Sequence, residues 1–291
     1  MLFGISVLDI ALGVMRKVVD SNFLQNPELR EYLTKSRTNI AVLTDYAAME
    51  AHKGDTLASI YKSMSILVEF PAQVIVLKGT RAVCGLSGRG SGLQKRLIDS
   101  AQTRNFPIYC QRLQAAKAEN GAFQSQLLEN GREATAHLDK MLADAASMPD
   151  TINEIAKTYS REELRLLRSS GHASEELIRK LIESVLAVAE TMFTSHPNVE
   201  RLPLVKELPN TFIFRAALCA YLLALDWIAE GGAKGAKAST IRNDMVDINF
   251  ATFATFFDGL LSGDGKAQHI YREACVFLNG VFGCNVAIGY P

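Results

Sequence analysis

The chain has 291 residues, with 31 Lys and Arg against 31 Asp and Glu. Its 48% apolar and 21% charged content excludes long disordered, collagen-like and low-complexity classes. Neutrality excludes a broad basic coat for nucleic acid but leaves room for a local basic groove.

Residues 1–37 read as helical. Ile5, Leu8, Leu12 and Met15 recur at helical spacing, and Asn26 with Pro27 marks a break. Met1 to Met15 carries Asp9, lacks a basic leading segment and is too short to span a bilayer. Residues 39–45 are a short apolar, β-branched run ending in an acid, the pattern of a buried parallel strand. A helix is expected from near Asp55 to just before Pro71, then a second buried strand from Gln73 to Gly79. Strand, helix, strand is a βαβ unit, so the expected fold class is α/β.

Residues 111–200 show no strand pattern and read as a helical insertion. Thr151 with Glu154 and Ser160 with Glu163 have capping-box spacing. Ile178, Leu181, Ile182, Val185 and Val188 form a helical stripe. Pro203 and Pro209 lie in the connection back. Phe212 to Ala229 is a long apolar helix; Arg215 and Asp226 within it are costly in lipid, so it is expected inside protein. A loop over 230–239 then leads to a helix at 241–256, a third strand at 259–262 and a last strand at 281–288.

The five cysteines and five histidines are scattered, without the close pairs of a zinc site, and read as reduced thiols in a cytoplasmic protein. Of two glycine-rich stretches, 85–92 is expected to follow a strand but lacks the spacing of a nucleotide loop, and 232–239 follows a helix, the wrong context for one. Both are basic, however. Arg81, Arg89, Lys95 and Arg96 surround the first; Lys234, Lys237 and Arg242 surround the second. Such loops can grip a phosphodiester backbone.

Carboxylate placement is the sharper signal. Asp45 ends the strand over 39–45, on the edge where open α/β sheets bind ligands, and Glu50 follows near a helix start. Asp244 and Asp247 share one helix face, and Asp264 ends the strand over 259–262. Asp258 is either a further ligand or a polar residue at that strand's start. Acids that converge repel one another, and a hard divalent cation with oxygen ligands resolves the conflict.

The segment 40–45 with Glu50, and the segment 247–264 ending in Ser262 and Asp264, resemble PIN-like nuclease domains. In these domains an acid ends the first strand and another lies on a following helix. A third acid opens a later helix, and a strand then ends in Thr/Ser-x-Asp. Asp45, Glu50, Asp247 or Asp244, and Asp264 take the four acidic positions. The motif-bearing spans are 39–55 and 241–266, and the chain is longer than a minimal domain of this kind.

The resemblance implies a three-layer α/β/α fold with a central parallel sheet and a large helical insertion. The expected division is an N-terminal helical segment (1–37), an α/β core (38–110 and 205–291) and a helical insertion (111–204). It implies a metal-dependent endonuclease acting on RNA more readily than DNA. Mg²⁺ or Mn²⁺ would be held by Asp45, Asp244, Asp247 and Asp264, with Glu50 assisting. Thr44 and Ser262 would contact ligands or phosphate. An inhibitory protein partner is a further implication. The alternatives are a single-strand or flap DNA nuclease, a PIN-like scaffold that binds RNA or protein without catalysis, and an all-helical interaction protein.

Overall fold

Four strands, β1 (Met15–Val19), β2 (Asn39–Leu43), β3 (Val74–Val76) and β4 (Leu260–Leu261), form one all-parallel sheet in the order β3-β2-β1-β4. The computed structural model describes residues 13–54, 56–117, 121–168, 174–233 and 235–288. Val18 faces Val42 on one side and Leu260 on the other. Val18, Val19, Ala41, Val42, Leu43 and Val74 are buried, as the strands of a parallel sheet covered on both faces should be.

β1 falls in the stretch read as helical. It is only five residues long and begins Met-Arg-Lys, so no apolar periodicity announces it. Ladder bonds to both neighbours hold it extended, and tertiary pairing overrides the local signal. The helical reading holds for α1 (Pro27–Lys35), where Asn26 accepts from the Glu28 N–H at 3.0 Å and Pro27 takes the first helical position. Ile5, Leu8 and Leu12 lie outside the described residues.

Two helices, not one, join β2 to β3. α2 (Asp45–His52) is capped by Thr44, whose hydroxyl accepts from the Ala47 N–H at 3.1 Å. α3 (Leu57–Glu69) ends at Phe70, before Pro71. Asp55, read as its cap, lies outside the described residues. The chain continues through α4 (Thr80–Cys84), α5 (Leu93–Leu97), α6 (Ser100–Ala116), α7 (Ala122–Ala145), α8 (Met148–Lys157), α9 (Arg161–Arg168) and α10 (Glu175–Ser195). The 85–92 loop therefore follows a short helix rather than a strand.

The expected capping box at Ser160 forms: the Glu163 carboxylate accepts from the Ser160 N–H at 2.6 Å, and the Ser160 hydroxyl from the Glu163 N–H at 3.2 Å. The one at Thr151 does not, because Thr151 lies inside α8.

α11 (Phe212–Ala229) is the one helix among the described residues long and apolar enough to cross a membrane, and two thirds of it is buried in the protein. It packs against α8, α9, α10, α12 (Ala238–Ala254) and α13 (Gly265–Phe282). Each of its fully buried large apolar side chains contributes roughly 1.5–3 kcal/mol. Leu127, Leu138, Ile152, Leu177 and Val185 belong to the same apolar cluster as Val18 and Phe250, so the helical middle shares the core of the sheet.

The last expected strand, 281–288, is absent among the described residues. α13 runs to Phe282 and closes at Gly283, whose φ of +60° suits glycine.

The chain moves from β1 through β2 to β3 on one side of the sheet and returns to β4 on the other. α12 lies against β1 and β4. The carboxyl ends of β1 and β4 meet where the direction of strand succession reverses, the place where open α/β sheets bind ligands.

Candidate functional site

Asp20 is the residue immediately after β1. Its N–H donates to the Leu261 carbonyl at 2.9 Å, which ties it to β4. The side chain has no exposed surface. Its Oδ2 accepts from the Ser262 hydroxyl at 2.6 Å, and its Oδ1 from the Asn22 N–H at 3.4 Å. The Ser21 hydroxyl lies between Asp20 Oδ1, at 3.3 Å, and Glu50 Oε2 on α2. Burial pushes the Asp20 carboxyl above the usual range; the Ser262, Asn22 and Ser21 hydrogen bonds oppose this, and repulsion from Glu50 adds to it.

Ser262 and Asp264 follow β4. The Ser262 hydroxyl accepts from the Asp264 N–H at 3.0 Å, so one oxygen links two acids. Asp264 caps α13, accepting from the Ala267 N–H at 2.8 Å through Oδ1. Asp244 and Asp247 sit one turn apart on α12. Asp244 pairs with Lys266 at 2.9 Å. The Lys266 ammonium also lies over the Trp227 ring, 4.4 Å from its centroid. Glu50 pairs with Lys53 at 3.2 Å on its outer side.

Asp247 is the centre of the group. It accepts no hydrogen bond and joins no ion pair among the described residues. Burial first, and then repulsion from Asp20, Asp264, Glu50 and Asp244 in that order, push its carboxyl up to about 8. Five carboxylates therefore act on one another at the sheet edge, and every donor they offer is oxygen, which fits a hard divalent cation. As they stand, no three His, Cys, Asp or Glu side chains among the described residues close on a common point as an ion's ligands. The two findings are compatible: the fold brings the acids within electrostatic reach, and mutual repulsion opposes the approach of their oxygens to a shared point.

Of the residues singled out from sequence, Glu50, Asp244, Asp247, Asp264 and Ser262 are brought together. Asp45 is not. It opens α2 at the carboxyl end of β2, one strand away from the centre, and its Oδ2 and Oδ1 accept from the Thr80 N–H at 2.6 Å and hydroxyl at 2.9 Å. Asp45 is not among the charges that shift Asp20 or Asp247. Thr44 is buried and occupied as a helix cap. Asp258 lies at the opposite edge, where its N–H donates to the Arg16 carbonyl at 2.8 Å and its Oδ2 accepts from the Arg16 N–H at 2.7 Å.

The basic residues divide by position. Arg96 is turned into its own loop and donates to the Ser87 carbonyl at 2.6 Å and to the Arg89 carbonyl. Gly88 is pressed against the Glu207 backbone, where an added Cβ would sit 2.2 Å from the carbonyl oxygen. Gly85, whose added Cβ would meet the Asn198 carbonyl oxygen, and Gly88 thus serve close backbone packing. Arg81, Arg89 and Lys95 are exposed around it. Lys237 is exposed just before α12, and the Arg242 guanidinium lies on Asn243 at 2.6 Å. Both lie toward the edge where Asp244 and Asp247 gather, because α12 runs from that edge down to β4. Lys234 lies outside the described residues.

Asp20 is not among the acids that sequence spacing singles out. The signal was Val18-Val19-Asp20, a buried β-branched pair followed by an acid, hidden behind Arg16 and Lys17. Comparison with known proteins returns no matching family model, curated protein or solved structure.

Proposed function

We propose that the chain is a metal-dependent, PIN-like endonuclease that hydrolyses phosphodiester bonds, in RNA before DNA. The observation that carries this reading is the gathering of four further carboxylates around an unpartnered Asp247 at the switch point of a parallel sheet. With Asp20 in place of Asp45, the order of acids still resembles the PIN-like pattern. Asp20 follows the first strand, Glu50 lies on a later helix, α2, after the second strand, Asp244 and Asp247 lie on the helix before β4, and Ser262-x-Asp264 follows that strand.

Asp20, Asp247 and Asp264 are the residues that would hold Mg²⁺ or Mn²⁺, with Asp244 and Glu50 at the margin. A bound ion there supplies an activated water and neutralises charge on the phosphate. Ser262 fixes the Asp20 carboxylate from below, and Ser21 sets its spacing from Glu50. Lys237 and Arg242 supply positive charge for the substrate backbone.

The test is digestion of labelled single-stranded RNA and DNA side by side with Mn²⁺, with Mg²⁺ and with chelator. Metal-dependent cleavage of RNA, lost in Asp247→Asn, is the expected result; cleavage of DNA alone favours the flap or single-strand reading. Intact substrates in every metal condition would sink the enzymatic reading. Two observations favour a binding scaffold as the second reading: Lys266 already occupies Asp244, and the acids among the described residues do not converge as ligands. Retention of RNA without cleavage is its signature.

A further inference from the structure

Arg215, in the first turn of α11, is a buried guanidinium with no carboxylate partner among the described residues; it is 2% exposed. Its Nε donates to the Pro209 carbonyl at 2.6 Å, and one terminal nitrogen donates to the Thr255 carbonyl. Its plane lies over Phe256, with Cζ 3.9 Å from the ring centroid. The other terminal nitrogen has no hydrogen-bond partner among the described residues. A guanidinium carries five N–H donors, so two carbonyls leave it under-satisfied. Burial lowers its pKa only to about 10, so the charge persists at neutral pH. A buried, unpaired charge is costly, and an opposite charge offsets that cost.

Arg215 lines a pocket of about 270 Å³. Gln94, Asn210 and Asn285, whose side chains carry amides, are among its lining residues, and so is the apolar Phe256. The one acid in the lining, Asp258, is turned onto the Arg16 N–H at 2.7 Å. Arg16 in turn donates to Gln94 at 2.9 Å and keeps a buried Nε without a partner. Amide side chains can donate to an oxyanion, and a guanidinium with an unused donor suits one of its oxygens. Thr255 to Asp258 join α12 to β4 at the amino edge of the sheet, so this pocket lies away from the acids at the carboxyl edge.

We propose that this pocket binds the oxyanion group, carboxylate or phosphate, of a small ligand. The test is thermal melting of the full chain titrated with inorganic phosphate and, separately, with acetate, against chloride at matched ionic strength. A saturable rise beyond chloride with either ion is expected, and the more effective ion identifies the ligand class. Arg215→Lys keeps the charge but loses the fork, and should weaken the midpoint about tenfold. Asn285→Ala, at an exposed position, should weaken it several-fold, and decides the matter alone if Arg215→Lys does not fold. No saturable rise beyond chloride overturns the proposal. So does a rise with an unchanged midpoint in the variants, which places the ion elsewhere.

Discussion

Asp247 is held in a position where ionisation is unfavourable. In the unfolded chain it loses its proton near pH 4; in the fold it keeps it to about pH 8. The folded state thus carries an extra proton through that window, and the stability of the ion-free protein falls as pH rises from about 4 to about 8. Asp247→Asn should remove most of that slope and raise stability at pH 8 by on the order of 2 kcal/mol, a figure discounted for the partial exposure of the group. Urea unfolding at a series of pH values measures both; a flat wild-type profile contradicts the account. Glu50, Asp244, Asp247 and Asp264 were legible because each sits at a helix or strand position that spacing reveals. Asp20 was not. Its strand has only two buried residues before the acid, and it is extended because β2 and β4 pair with it, a fact absent from local sequence.

α7 shows how an element can serve the site without contributing an acid. It packs against α2, which carries Glu50, and against α12, which carries Asp244 and Asp247. Gly131 on α7 lets the backbones meet: a Cβ there would lie 2.6 Å from both the His52 and Gly54 carbonyl oxygens. The Thr135 hydroxyl accepts from the Gly54 N–H at 3.0 Å in the same contact. Glycine inside a helix normally costs about 1 kcal/mol relative to alanine. Here the clash reverses the sign, and Gly131→Ala should destabilise by about 1–3 kcal/mol. Thermal or urea melting checks it; a stabilised variant contradicts the packing. The long elements, α3, α10, α11 and α12, were legible from periodicity and punctuation. The break between α2 and α3 was not, because Thr44 caps a helix directly after a strand that seemed to run on to Asp45. The expected strand over 281–288 failed because α13 continues through Phe282.

At the scale of the whole molecule, charge neutrality conceals an uneven distribution. Five acids collect at the carboxyl edge of the sheet, while Lys237 and Arg242 stand beside them. An ion that relieves this repulsion binds the folded chain only. Mn²⁺ at about 100 times its dissociation constant should therefore add roughly 2.7 kcal/mol, a rise of about 5–10 °C in melting temperature. The rise should be smaller in acid, where the carboxylates are protonated, and absent in Asp247→Asn. A rise of equal size in that variant places the ion elsewhere. The most direct test of the central claim sets two variants against each other in one assay. Cleavage of labelled RNA in Mn²⁺ is compared for wild type, Asp20→Asn and Asp45→Asn. A loss of at least about 100-fold is expected for Asp20→Asn. Asp45→Asn should keep activity in its folded fraction, since that carboxylate is bound to Thr80. Full activity in Asp20→Asn, with activity abolished in a folded Asp45→Asn, would contradict it.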